Sequence, residues 1–238
     1  MALGTLFVAA TPIGNLEDIS LRALRVLREV SYILCEDTRV TRQLLNKYEI
    51  KTPTISYHQH SGPAKIQQLL RYLGEEKDLA LVSDAGTPGI SDPGSFLVSS
   101  ARKEYGEELK IVPLPGASAV IAALSVSGWP VDRFSFFGFL PHKKGRQTMI
   151  KDILFSEYPA AFYESKHRIK KCLAELTAFS AELNRPIEVM IGRELTKMFE
   201  SLYFGTPAEL AERLDKDEEM QKGEFVVLVR KINVKYVR

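Results

Sequence analysis

The stretch Val82-Ser83-Asp84-Ala85-Gly86-Thr87-Pro88-Gly89-Ile90-Ser91-Asp92-Pro93-Gly94 carries the densest chemical signal in the sequence. Three glycines and two prolines make a stiff turn whose backbone can approach a ligand closely. It follows the short apolar run Leu79–Val82, which reads as a parallel strand, and ligands of parallel sheets sit beyond the carboxyl ends of their strands. From Leu79 to Ala101 there is no lysine, arginine or histidine, while Asp84 and Asp92 are both present. The chain holds neither the GK[ST] lysine of a phosphate loop nor a GxGxxG turn. Two carboxylates without a cation favour a neutral or positively charged ligand. S-adenosylmethionine, a sulfonium without phosphate, suits that description. A second glycine turn, Pro115-Gly116-Ala117-Ser118-Ala119, opens a segment of small residues that lets another surface come close, whether a ligand or simply a packed neighbour.

Other groups could handle a proton. Glu36, Asp37 and Arg39 follow a second predicted strand, where they serve equally well as helix-start acids. Glu164 follows a strand in the second half, as do Arg193, Glu194 and Lys197. His58 and His60 follow a third strand. These residues do not single out one general base. Cations suited to phosphates gather at His142, Lys143, Lys144 and Arg146, after Gly138 and Pro141, in what reads as a mobile loop. Lys166, His167, Arg168, Lys170 and Lys171 form a second group, of which Lys170 and Lys171 read as a solvated helix face.

The elements that must position these groups alternate in the first half. Strands are expected at Thr5–Ala10, Tyr32–Cys35, Thr54–Tyr57, Leu79–Val82 and Ile111–Leu114, with helices between them. Ile66, Leu69, Leu70 and Leu73 mark one amphipathic helix, and Asp92-Pro93 an N-cap followed by proline at the first helical position. This rhythm predicts a mostly parallel, doubly wound sheet. After a helix over Ala117–Ser127 comes the turn-rich SGWPVDR. The second half reads as strand Phe134–Phe137, helix Arg146–Phe155, strand Ala160–Tyr163, helix Lys166–Phe179, then strands Ile187–Ile191, Ser201–Phe204 and Phe225–Val229. Thr206-Pro207-Ala208-Glu209 has capping-box spacing, and two consecutive strands before it predict a mixed sheet. The expected fold class is therefore α/β with two domains. An N-terminal α/β domain spans 1–116 and a C-terminal α/β domain with a mixed sheet spans 117–238, with a ligand cleft between them.

Composition agrees with an ordinary globular chain: 238 residues, 45% hydrophobic and 26% charged. Lys+Arg 32 against Asp+Glu 30 excludes a polybasic coat but not a local basic patch. Cys35 and Cys172 are far apart, so neither a disulfide scaffold nor a structural metal site is expected, and a reducing cytoplasm fits best. The first residues lack a basic leader ahead of their apolar run, and no apolar stretch reaches the roughly 18 residues of a membrane span.

Eight blocks occur in order: ATPIGNLEDIS ending at Ser20, CEDTR (35–39), SDAGTPGISDPG (83–94), PGASAVIAAL (115–124), GFLPHKK (138–144), FYES (162–165), GRELTK (192–197) and KGEFVVLV (222–229). Together they resemble a family of small-subunit ribosomal RNA methyltransferases within the tetrapyrrole-methylase-like proteins, over nearly the whole chain. The resemblance implies two α/β domains, a homodimer, and S-adenosylmethionine in the interdomain cleft. It also implies methyl transfer to the ribose 2′-hydroxyl of a cytidine in the decoding centre of 16S ribosomal RNA in the small ribosomal subunit. By position it places Asp84, Thr87, Pro88 and Gly89 beside the cofactor, with Ala117 and Ser118 as a second cofactor turn and Tyr163 and Gly223 near the adenine side. The RNA-contact segments depart from the family pattern at His142, where relatives often carry arginine, and at Lys166, where proline is common. Two alternatives remain open: methylation of a tetrapyrrole or a protein side chain on the same fold, and a non-catalytic RNA-binding ribosome-assembly factor.

Overall fold

The computed structural model describes residues 2–58, 61–92 and 94–232. The chain forms two compact units, Met1–Ser118 and Ala119–Arg238. His60, Pro93 and the basic residues beyond 232 lie outside the described residues.

In the first unit, strands β1 (Leu6–Ala9), β2 (Tyr32–Cys35), β3 (Thr54–Ser56), β4 (Leu79–Val82) and β5 (Ile111–Leu114) form one sheet in the order β3-β2-β4-β1-β5. Every pairing is parallel. Four helices cover it: α1 (Leu21–Glu29), α2 (Thr38–Lys47), α3 (Pro63–Gly74) and α4 (Gly94–Tyr105). Strand alternation explains the two layers. Ala9, Ile33, Cys35, Ala80 and Val82 turn to one face and pack with the apolar stripes of α1 and α2. Leu6, Leu34, Leu79 and Leu81 turn to the other, against Leu69, Leu70 and Leu73 of α3 and Leu97 and Ala101 of α4. A strand buried on both faces has no polar side, which is why β4 reads as an unbroken apolar run. Ser20 starts α1 by accepting from the Ala23 N–H at 3.1 Å.

The second unit opens with α5 (Ala119–Val126) and holds the sheet β6-β7-β10-β8-β9. Its strands are β6 (Ser135–Phe139), β7 (Ala160–Ser165), β8 (Ile187–Arg193), β9 (Ser201–Gly205) and β10 (Glu224–Lys231). The pairing of β6 with β7 is parallel and the rest are antiparallel, so the sheet is mixed. Helices α6 (Arg146–Phe155), α7 (Ile169–Glu182) and α8 (Pro207–Lys216) bury Ile150, Leu173, Leu176 and Leu210 against Phe162, Val189 and Val227.

Two helix starts differ from the sequence reading. The helix expected from Ala117 begins at Ala119, leaving Ala117 and Ser118 in the preceding turn. The helix expected from Lys166 begins at Ile169, because β7 runs on to Ser165 and residues 166–168 form a turn closed by the Arg168 N–H on the Ser165 carbonyl. The capping box at α8 is present in both directions: Thr206 accepts from the Glu209 N–H, and Glu209 accepts from the Thr206 N–H. Thr206→Ala is expected to cost about 1 kcal/mol. Urea unfolding measures it, and an unchanged midpoint would contradict the cap's contribution.

Candidate functional site at the carboxyl edge of the parallel sheet

Strand β4 lies between β2 and β1. The chain leaves β1 and β2 through α1 and α2 on one face, and leaves β4 through α4 on the other. Neighbouring connections that part in this way open a crevice at the carboxyl ends, the usual ligand address of an open parallel sheet.

Backbone and hydroxyl bonds fix the loop that lines this crevice. Thr11 and Gly86 exchange backbone hydrogen bonds at 2.9 and 3.1 Å. The buried Thr11 hydroxyl donates to the Ser83 carbonyl at 3.0 Å, and the buried Ser83 hydroxyl donates to the Gly86 carbonyl at 3.0 Å. Gly86 sits at φ +86°, in the left-handed region where a side chain is strained. The Thr87 hydroxyl donates to the Ala117 carbonyl at 3.3 Å and ties the loop to the turn after β5. Asp92 Oδ1 accepts from the Gly89 N–H at 2.6 Å and the Gly94 N–H at 2.9 Å, closing the far side of the loop at the start of α4. Asp84 Oδ1 accepts from the Asp37 N–H at 3.1 Å, joining the loop to the segment after β2. The sequence-predicted Asp84, Thr87, Pro88, Gly89 and Ala117 therefore belong to one braced edge, with Glu36 and Asp37 beside it.

The edge is electronegative. Burial, then the carboxylates of Asp84 and Asp92, raise the Glu36 carboxyl above the ordinary glutamate range. Asp37 behaves oppositely: its hydrogen bonds with Arg39 hold it at about 2. Asp37 caps α2 through the Arg39 N–H at 2.8 Å and meets the exposed Arg39 guanidinium at 2.7 Å, so both form a helix start rather than a proton-transfer pair. Among the described residues the Glu36 carboxylate accepts no hydrogen bond from the protein. It lines a cleft of about 840 Å³ together with Tyr57, Ile66, Ser91, Asp92 and Phe96. Sequence reasoning misses Tyr57 and Phe96, since nothing local marks a strand-end tyrosine and a helix phenylalanine as neighbours.

Several candidates in the second unit turn out to be structural. Glu164 is buried, accepts from Arg146 Nη1 at 3.1 Å and forms an ion pair with Arg168 Nε at 2.8 Å, which gives it a structural role. Arg146 is 3% exposed and also binds Glu175 at 2.7 Å, which removes it from the surface cluster expected to meet RNA. His142, Lys143 and Lys144 stay exposed beside a hollow of about 400 Å³. Arg193 is buried and clamps backbone, donating to the carbonyls of Lys222 (2.7 Å), Phe199 (3.0 Å) and Glu219 (2.8 Å). Gly223, at φ +103°, makes room for the Glu194 side chain, which a Cβ there would meet at 2.5 Å. That carboxylate accepts from the Glu224 N–H and from Lys197. Tyr163 packs against Phe136 and Phe139, with ring centroids 5.1 and 5.3 Å away. Lys170 and Lys171 pair with Asp215 and Glu175 on a solvated face, as the sequence suggests.

Solved structures share this fold. Diphthine synthase superposes with a TM-score of 0.69 at 17% identity, covering 94% of this chain and 88% of that one. The methyltransferase CobJ gives 0.67 at 20% identity, covering 96% and 94%. The fold is that of the Tetrapyrrole (Corrin/Porphyrin) Methylases, whose family model matches residues 5–211. Ribosomal RNA small subunit methyltransferase I of Xylella fastidiosa (strain Temecula1) is 45% identical over 95% of this chain and 81% of its own length. The Thermotoga maritima protein of that name is 42% identical over 95% and 98%. The chain belongs to the ribosomal RNA small subunit methyltransferase I branch of the tetrapyrrole methylase family.

The ion pairs around Glu164 yield a stability prediction. Glu164→Ala leaves the buried Arg146 and the partly buried Arg168 without their shared carboxylate and is expected to destabilise by about 3–5 kcal/mol. Urea unfolding measures the loss, and a variant as stable as the parent would refute the structural role given to Glu164.

Proposed function

We propose that this chain transfers a methyl group from S-adenosylmethionine to the ribose 2′-hydroxyl of a cytidine in the decoding centre of 16S ribosomal RNA. The observation that carries the reading is the braced carboxyl edge of the parallel sheet, bearing Asp84 and Glu36 and no cation from Leu79 to Ala101. The names of the relatives support ribosomal RNA as substrate. The motif resemblance supports the cytidine ribose as acceptor and a homodimer, and the cysteine usage supports a cytoplasmic location. Among the described residues no helix is long and apolar enough to cross a membrane.

The residues present fit the cofactor. A sulfonium is cationic and needs carboxylates rather than a phosphate cradle, and the exposed Asp84 supplies one. Thr87, Pro88, Gly89, Ala117 and Ser118 offer a narrow backbone-lined edge, where the Thr87 hydroxyl bond to Ala117 holds two turns together. When bound, S-adenosylmethionine supplies a methyl group already activated by its sulfonium. The chain's own task is geometric: it must hold the acceptor oxygen in line with that methyl group, and such positioning supplies much of the rate in displacement reactions. A loop cross-linked to the turns after β1, β2 and β5 is stiff enough for that task. Water exclusion and alkoxide stabilisation strengthen the effect where charge develops. His142, Lys143 and Lys144 supply cations for backbone phosphates, in place of the buried Arg146.

The test is incubation with labelled S-adenosylmethionine and small ribosomal subunits lacking the modification, followed by mass spectrometry of the nucleosides. The expected product is 2′-O-methylcytidine at a single site. Label absent from RNA, with the cofactor still bound, would favour a tetrapyrrole or protein side-chain acceptor. Reversing the exposed charges in Lys143→Glu/Lys144→Glu is expected to weaken RNA binding about tenfold or more at low salt and to flatten its salt dependence. Cofactor affinity should stay unchanged in that variant. Equal RNA affinity across a salt series would remove the loop from the interface.

A further inference from the structure

The cleft beside the braced edge shares Glu36 and Asp92 with it, and the rest of its lining is specific. It lies at the carboxyl ends of β2 and β3 and the start of α4, wholly within the first unit. Its volume of about 840 Å³ falls among small-molecule sites, which run from roughly 300 to 1,000 Å³. Tyr57 and Ile66 are buried and form an apolar floor. Phe96 is 62% exposed on the first turn of α4 and turns an aromatic side chain to the cleft wall. Ser91, at φ +65°, holds the rim in a conformation that non-glycine residues rarely adopt, the kind of strain that gathers at binding sites. Among the described residues no lysine, arginine or histidine lines it. The charged members among them are the carboxylates of Glu36 and Asp92, and Asp92 Oδ1 is occupied by two backbone N–H groups.

A cleft with an aromatic wall, a polar rim of Ser61, Gln67, Ser91 and Ser95, and a Glu36 carboxylate that accepts no hydrogen bond among the described residues suits a flat heterocycle that carries an amine. Single-stranded RNA bases are read in this manner, splayed from their neighbours, stacked on an aromatic ring and hydrogen-bonded at the Watson–Crick edge. Carboxylates accept from the N4 amine of cytosine, whereas uracil presents a carbonyl oxygen at the same place. We propose that this cleft receives the unstacked base of the target nucleotide, with its ring against Phe96 and the cytosine amine donating to the Glu36 carboxylate, so that Glu36 selects cytidine over uridine. The proposal rests on the ribosomal RNA reading above. It gives Glu36 a role in base selection, distinct from accepting the hydroxyl proton. Uridine is rejected because its O4 would face a half-buried carboxylate without a proton between them.

The experiment compares methylation rates on small subunits carrying cytidine or uridine at the nucleotide mapped by the labelling experiment. The parent is expected to prefer cytidine by at least about tenfold. In Glu36→Gln the amide can present either oxygen or N–H, so the preference should shrink by about tenfold, with uridine gaining relative to cytidine. In Phe96→Ala, an exposed position whose loss leaves the core intact, kcat/KM should fall for both substrates with their ratio retained. An unchanged ratio in Glu36→Gln would overturn the proposal. A parallel fall for both substrates would instead assign Glu36 to proton transfer. Full activity of Phe96→Ala would overturn the stacking contact. If the parent labels no RNA at all, the functional reading itself fails and the base cleft fails with it.

Discussion

Thr11 and Ser83 tie the ends of two parallel strands into a single edge, and the arrangement of the first unit depends on that tie. The Thr11 hydroxyl reaches the Ser83 carbonyl, the Ser83 hydroxyl reaches the Gly86 carbonyl, and the backbones of Thr11 and Gly86 pair in both directions. All of this sits at 4% exposure for both hydroxyl residues, where an unmade hydrogen bond is costly. The loop after β4 therefore cannot shift without breaking buried bonds. Asp84, Thr87 and Asp92 project from it at heights set by the sheet.

Charge then follows from geometry. Asp84 takes the Asp37 N–H and Asp92 takes two backbone N–H groups, so both are held near the same strand ends as Glu36. Their mutual repulsion, added to burial, raises the Glu36 carboxyl above its ordinary range. An edge of this kind repels phosphate and attracts a cation or a hydrogen-bond donor. The second unit solves a different problem. Ion pairs of the buried Glu164 with the buried Arg146 and the partly buried Arg168 fix β7 to the start of α6 and the turn before α7. The side chains of His142, Lys143 and Lys144 stay exposed.

The parallel sheet is legible in the sequence because its central strands are largely buried: Tyr32–Cys35 and Leu79–Val82 lie where the apolar runs place them, as does the edge strand Ile111–Leu114. The α8 start is equally plain, since a capping box is local. What escapes local reading depends on distant partners. Arg146 looks like one more loop cation until Glu164 and Glu175, 18 and 29 residues away, bury it. The first turn of the expected Lys166 helix is lost because β7 runs on to Ser165 and residues 166–168 turn back on its carbonyl. Gly223 resembles a cofactor glycine by position, yet its missing side chain accommodates Glu194. Tyr57 and Phe96 line one cleft only because β3 ends and α4 begins at the same edge, a fact of sheet order that no window of sequence contains.

The account stands on the braced edge being where S-adenosylmethionine is held. Hydrogen–deuterium exchange with and without the cofactor, read peptide by peptide, tests this directly. Slowed exchange concentrated in peptides covering 83–94 and 115–118 is the predicted result, because their backbone N–H groups line the edge. Saturating cofactor that leaves those peptides unchanged while protecting others would contradict it.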